Sequence, residues 1–123
     1  MNSVRKPFGT LPDGTEVSLF TFRNDNGYEL SVTNYGGIIT SFKGPDRDGN
    51  VDELTLAFDT LDEYLKGHPF FGSTVGRVAN RIKGAGITVD GSYYALSPHP
   101  SRKVHLHGGK GGFHTKLWNA EEV

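Results

Sequence analysis

From Val51 to Phe58 apolar and polar side chains alternate, with Leu54, Leu56 and Phe58 set between Glu53, Thr55 and Ala57. A period of two is that of a strand with one buried face, so this segment is predicted as the clearest half-buried strand of the chain. Thr15 to Arg23 carries apolar weight on both faces, Val17, Leu19 and Thr21 against Ser18, Phe20 and Phe22, and predicts a strand covered on both sides. Tyr28 to Thr33, with Leu30 and Val32 on one face, and Ile38 to Phe42, running on to Gly44-Pro45, predict two more. Lys6 to Leu11 leads in as extended chain, Ile87 to Val89 and Tyr93 to Leu96 form a hairpin about Asp90-Gly91, and Lys116 to Val123 begins like a strand. The punctuation between these runs is turn chemistry: Pro12-Asp13-Gly14, Asn24-Asp25-Asn26-Gly27, Asn34-Tyr35-Gly36-Gly37 and the polar tip Asp46 to Asn50. One short helix is predicted, capped by Asp59 or Thr60, with Leu61, Tyr64 and Leu65 on a common stripe and Gly67 as its stop. Consecutive hairpins with almost no helix predict an all-β fold of antiparallel sheets stacked as a sandwich.

Composition sharpens this in a few places. Seventeen glycines in 123 residues, without a collagen period, fit many tight turns between short strands. A net charge of -1, with acidic and basic residues mixed along the chain, leaves no basic stripe for a polyanion, so nucleic acid is not an expected partner. The absence of cysteine excludes a disulfide framework and a thiolate metal site. Met1 to Pro7 contains Arg5 and Lys6 but no apolar run follows, and nothing approaches a membrane span, so the expectation is a soluble cytoplasmic protein with no membrane partner. The last residues follow the bulky Leu117-Trp118 pair without Gly or Pro, which predicts a truncation inside a strand.

The densest chemistry lies between Phe71 and Trp118. Gly76-Arg77-Val78-Ala79-Asn80-Arg81-Ile82 places two guanidinium forks and an amide within five residues. Such groups suit adjacent sugar hydroxyls, and they equally suit a loop salt bridge or a surface strand. His105-Leu106-His107 would point two imidazoles to one face if it were a regular strand, as some metal sites require. The next carboxylate is Glu121, too remote to complete a ligand set, so His107 is read as a hydroxyl donor or an acid–base group, or else as a packed histidine. Gly108-Gly109-Lys110-Gly111-Gly112 lacks the ending of a phosphate loop, and its glycines are expected to let the backbone turn sharply beside His107. His68-Pro69-Phe70-Phe71 and Trp118 are either core aromatics or walls for a sugar's apolar face. Asp46, Asp48, Asp52 and Glu53 miss calcium-loop spacing and read as a solvated hairpin tip.

In this order and spacing, Asn34-Tyr35-Gly36-Gly37, Tyr64-Leu65, Phe70-Phe71-Gly72, GRVANRI, the Asp90-Gly91 hairpin, LHGG (Leu106 to Gly109) and GFHTKLW (Gly112 to Trp118) resemble the N-terminal part of the aldose 1-epimerases, or galactose mutarotases, from about Phe8 through Trp118. The resemblance implies a mutarotase-type antiparallel β-sandwich, with residues 1–123 as the N-terminal portion of one domain, incomplete at its C-terminal side. It implies interconversion of the α and β anomers of free aldohexoses such as glucose and galactose, without cofactor or metal. Asn80 and Arg81 match the family's sugar-hydroxyl contacts and His107 the histidine that helps bind and polarise the sugar. Arg77, His105 and His114 match no catalytic role. The family's acid, a second histidine, and its base, a late glutamate, have no counterpart in this sequence, so the chain alone is expected to be weak or inactive. An open sandwich would be closed by a complementary fragment, by self-association or by the rest of its chain. The alternatives are a non-catalytic carbohydrate-binding or regulatory module and a relative acting on hexose 6-phosphates, for which Lys83, Lys103 and Lys110 would be the basic residues.

Overall fold

The computed structural model describes residues 2–121. Five strands, β1 (Asn2–Thr10), β2 (Glu16–Arg23), β3 (Glu29–Thr33), β4 (Ile38–Pro45) and β5 (Val51–Glu53), form an antiparallel meander in chain order. One helix, α1 (Leu61–Leu65), follows, and then two antiparallel ribbons: β6 (Arg81–Lys83) with β9 (Val104–Leu106), and β7 (Gly86–Val89) with β8 (Ser92–Ala95). Among the described residues, wholly antiparallel pairing with one five-residue α-helix and two single 3₁₀ turns, Gly109–Gly111 and Phe113–Thr115, is the all-β organisation that the turn chemistry predicts. No helix among the described residues is long and apolar enough to cross a membrane.

The first hairpins follow the sequence closely because their turns are locally determined. Asp13 accepts from the Thr15 amide, and Asn24 from those of Asn26 and Tyr28, the Asx geometry that pre-forms a turn. Strand β2 is covered on both sides only over its first half, where Val17, Ser18 and Leu19 are buried; Phe20 through Phe22 are half-exposed. Helix α1 is fixed by a full capping box: Thr60 accepts from the Glu63 amide while the Glu63 carboxylate accepts from the Thr60 amide. Gly67, in left-handed geometry, ends it. Leu61 and Tyr64 are the buried stripe, Leu61 seated over Gly9 of β1 where a side chain would collide with it.

Two expectations are corrected. The alternation from Val51 to Phe58 yields only the three-residue β5, all of it exposed, and Leu54 and Leu56 face solvent. Ladder pairing stops where the Glu53 carboxylate folds back to accept from the Ser41 hydroxyl and from the amides of Phe42 and Thr55. Among the described residues the segment from Lys116 makes a single antiparallel bridge, Leu117 with Tyr35, and no longer ladder, because its partner is the tight β3–β4 turn and not a strand. Gly36 donates to the Lys116 carbonyl and Trp118 to the Asn34 carbonyl. Val123 lies outside the described residues.

Those last bonds position everything that follows. Gly36 is obligatory, with a φ of 69° and the His114 carbonyl where a Cβ would stand. The turn Asn34 to Gly37 is therefore the dock that ties residues 114–118 to the five-stranded sheet. A second tie is aromatic: Phe8 of β1 meets Tyr64 of α1, Tyr64 meets His68, and His68 meets Phe70.

Candidate functional site

β6 and β9 pair with Arg81 opposite Leu106, and both chains leave the ladder at that end. The residues just beyond it, Asn80 and His107, are in the left-handed region, with φ of 62° and 49°. They hold each other: the His107 amide donates to the Asn80 carbonyl at 3.0 Å, and the Asn80 amide donates to His107 Nδ1 at 3.0 Å. The second bond decides the chemistry of the ring. An imidazole nitrogen that accepts an N–H carries no proton of its own, so the ring's single proton sits on Nε2. Nε2 has no partner among the described residues and is not enclosed, so His107 presents an N–H to solvent.

Arg81 joins from the next position, its guanidinium donating to the Asn80 side-chain oxygen at 2.9 Å. That bond uses one of five N–H groups and leaves the rest of the fork available. Both side chains are exposed. Phe70 supplies an apolar wall, its ring centroid 4.6 Å from that of His107 and 4.7 Å from that of His114. Phe70 has a φ of 65°, which for a bulky residue is strained geometry. Three non-glycine residues at positive φ thus touch in sequence, Phe70 to His107 to Asn80, and such strain concentrates at functional sites.

The glycines explain how the two segments come so close. A Cβ on Gly108 would occupy the Gly76 carbonyl oxygen, and one on Gly76 would enter the Phe113 ring. The sharp turn expected beside His107 is present, with Gly108 at φ 83° and Gly109 at 66°.

Other candidates sort differently. Arg77 lies over the Phe113 ring at 5.5 Å and is a packing contact. His105 is buried and donates from Nδ1 to the Ser97 carbonyl at 2.9 Å. It does not share a face with His107, because the left-handed turn takes His107 out of the strand. No group of three His, Asp or Glu among the described residues could hold a metal. Phe71 packs inward on Phe58 while Phe70 turns to the site, so the two phenylalanines divide the roles that the sequence left open between them. Trp118 stacks edge-on to Phe113 and lines a groove on the five-stranded sheet, away from Asn80 and Arg81. The site itself is an open edge.

No motif in the sequence singles out His114. Its ring meets both Phe70 and His68, and its Nδ1 is buried without a partner. Burial lowers the pKa of His114, and neighbouring His68 and His107 lower it further; burial lowers that of His68 as well. Uncharged imidazole donors, a guanidinium fork and an amide around a phenyl ring suit a small polyhydroxylated ligand.

A family model described as aldose 1-epimerase matches residues 18–123. The chain is 40% identical over 116 residues to the galactose mutarotase of Sus scrofa, covering 94% of this chain and 33% of that protein. It is 37% identical over 108 residues to the aldose 1-epimerase of Escherichia coli (strain K12), covering 87% of this chain and 31% of that protein. A crystal structure of a GalM/aldose epimerase homologue from C. elegans matches with a TM-score of 0.77 at 34% identity, over 84% of this chain and 31% of that one. The galactose 1-epimerase of Lactobacillus acidophilus NCFM matches with a TM-score of 0.75 at 24% identity, over 96% of this chain and 33% of that one, a likeness of fold. The chain spans about a third of the length of these two curated relatives.

Proposed function

The chain belongs to the aldose 1-epimerase family, and we propose that it forms the hexose-binding edge of an enzyme interconverting the α and β anomers of free sugars such as galactose and glucose. In this proposal residues 1–123 are the N-terminal portion of one β-sandwich domain, and Asn80, Arg81 and His107 contact the sugar. The observation that carries it is the linked strain of Phe70, His107 and Asn80, which holds an imidazole Nε2–H beside an oriented guanidinium. Arg81 would span two adjacent hydroxyls, and His107 would donate to a sugar oxygen and polarise it.

Anomer exchange needs a base to take the C1 hydroxyl proton and an acid to protonate the ring oxygen. His107 is poorly suited to either part while Nδ1 accepts the Asn80 amide, since Nε2 then has no lone pair to receive a proton and the N–H of a neutral imidazole is a very weak acid. No carboxylate is bonded to Asn80, Arg81 or His107 among the described residues. The proton-transfer pair is therefore assigned to residues outside the described ones. Polarimetry of fresh α-D-galactose, with this chain against buffer and against its His107→Ala variant, tests the division of labour. No acceleration by the folded chain is expected; acceleration that disappears in the variant would place a complete acid–base pair within these residues and overturn it.

A further inference from the structure

His114 is the one described side chain with a buried polar atom that nothing satisfies, and it sits on the same phenyl ring as His107. We infer that His114 is a second sugar-contacting residue, presenting its own Nε2–H beside that of His107 on the ring of Phe70. The inference rests on the hexose-binding proposal and extends it to a residue with no role in the sequence pattern.

Nδ1 of His114 is shut in beside Gly112, with no donor or acceptor in reach. A buried N–H without a partner is rarer and costlier than a buried lone pair, so the ring keeps its proton on Nε2. Nε2 is not among the enclosed unpaired atoms and so is not shut off from solvent as Nδ1 is. His68 repeats the arrangement: its Nδ1 accepts the Phe70 amide at 3.1 Å, which leaves its proton on Nε2 as well. His68 packs edge-on to His114, the ring centroids 6.2 Å apart.

Three imidazoles in one tautomer therefore ring Phe70, and the tautomer says what they can bind. A metal-ligating histidine offers a lone pair at one nitrogen and donates from the other. His68 and His107 do the reverse, accepting backbone amides at Nδ1 and offering N–H at Nε2. That edge is a set of uncharged donors, complementary to hydroxyl and ring oxygens. The ring of Phe70 beneath gives the apolar contact that a pyranose face needs.

The test uses the ¹⁵N-labelled chain and long-range imidazole ¹⁵N–¹H spectra, titrated with D-galactose. His107 and His114 are both expected in the Nε2–H form, and galactose is expected to shift both Nε2 resonances with one saturation curve. His114→Phe keeps a ring against Phe70 and removes the unsatisfied nitrogen. It is expected to weaken galactose binding by roughly threefold to tenfold, the effect of one hydrogen bond, with no loss of thermal stability. His114→Gln, which restores a donor at the same reach, is expected to recover part of the affinity. A His107 shift without a His114 shift, or a proton on His114 Nδ1, would overturn the inference and leave the sugar site standing. Absence of a shift at His107 would overturn the sugar site itself and this inference with it.

Discussion

The backbone amide of Asn80 donates to Nδ1 of His107 at 3.0 Å, joining residues 27 positions apart. One bond thus sets the tautomer of the imidazole, its direction, and the closure of the β6–β9 end. Asparagine places a carbonyl oxygen near where histidine has Nδ1, and it tolerates left-handed geometry. His107→Asn should therefore keep the melting temperature of the parent, while His107→Ala, leaving the amide without its acceptor, should cost about 1 kcal/mol. Thermal unfolding of the two variants checks this. Equal losses in both would mean that the bond does not hold the loop.

Gly36 and Gly108 are predicted to be intolerant for the same reason in two places. Each has positive φ and a backbone carbonyl where a side chain would begin, that of His114 for Gly36 and that of Gly76 for Gly108. Gly36→Ala or Gly108→Ala should each destabilise by roughly 1–3 kcal/mol, whereas Gly14→Ala, with the same sign of φ but open space around it, should show conformational strain alone and lose less. Urea midpoints of the three variants give the ranking.

Much of the fold was legible because it is local. Turn residues, the Thr60 capping box and Gly67 act within a few positions, and the sequence displays them directly. The alternation through Leu54 and Leu56 misled because period two records only which residues could share a face, and among the described residues Leu54 and Leu56 stay exposed while Phe58 packs on Tyr64 and Phe71. In the site, Asn80, Arg81 and His107 could be named by resemblance, but their geometry could not. The tautomer of His107 depends on an amide far away in sequence, and the part played by His114 depends on an absence of partners that only packing creates.

Glu53 should make the sheet edge acid-sensitive. Burial would raise its pKa, but hydrogen bonds from the Ser41 and Thr55 hydroxyls and from the Phe42 and Thr55 amides outweigh it and bring the carboxyl down to about 2. A depressed carboxylate pKa contributes stability above the unfolded value of about 4.3, and this is lost as pH falls towards the folded value. The stability difference between the parent and Glu53→Gln should be constant above about pH 5 and shrink below it. A difference that does not change with pH would show the bonds to be inconsequential.

A separate transition is expected from His68 and His114, whose pKa values burial lowers from the ordinary 6.5. The folded state favours their neutral forms, so their contribution is complete above about pH 6.5 and falls as the pH drops through the lowered folded values. His114 faces His68, His107 and Phe70, so each charge gained meets another imidazole. Melting temperature should decline between neutral pH and about pH 5, and a His68→Phe, His114→Phe double variant should decline less over that range.

The central claim is that Asn80, Arg81 and His107 form a hexose-binding edge. Saturation-transfer NMR of D-galactose with the folded chain, compared with Arg81→Ala and His107→Asn, tests it most directly. The account predicts a saturable galactose signal in the parent that is lost or strongly reduced in both variants while their melting curves remain cooperative. A galactose signal of equal strength in all three, or none in a folded parent, would contradict it.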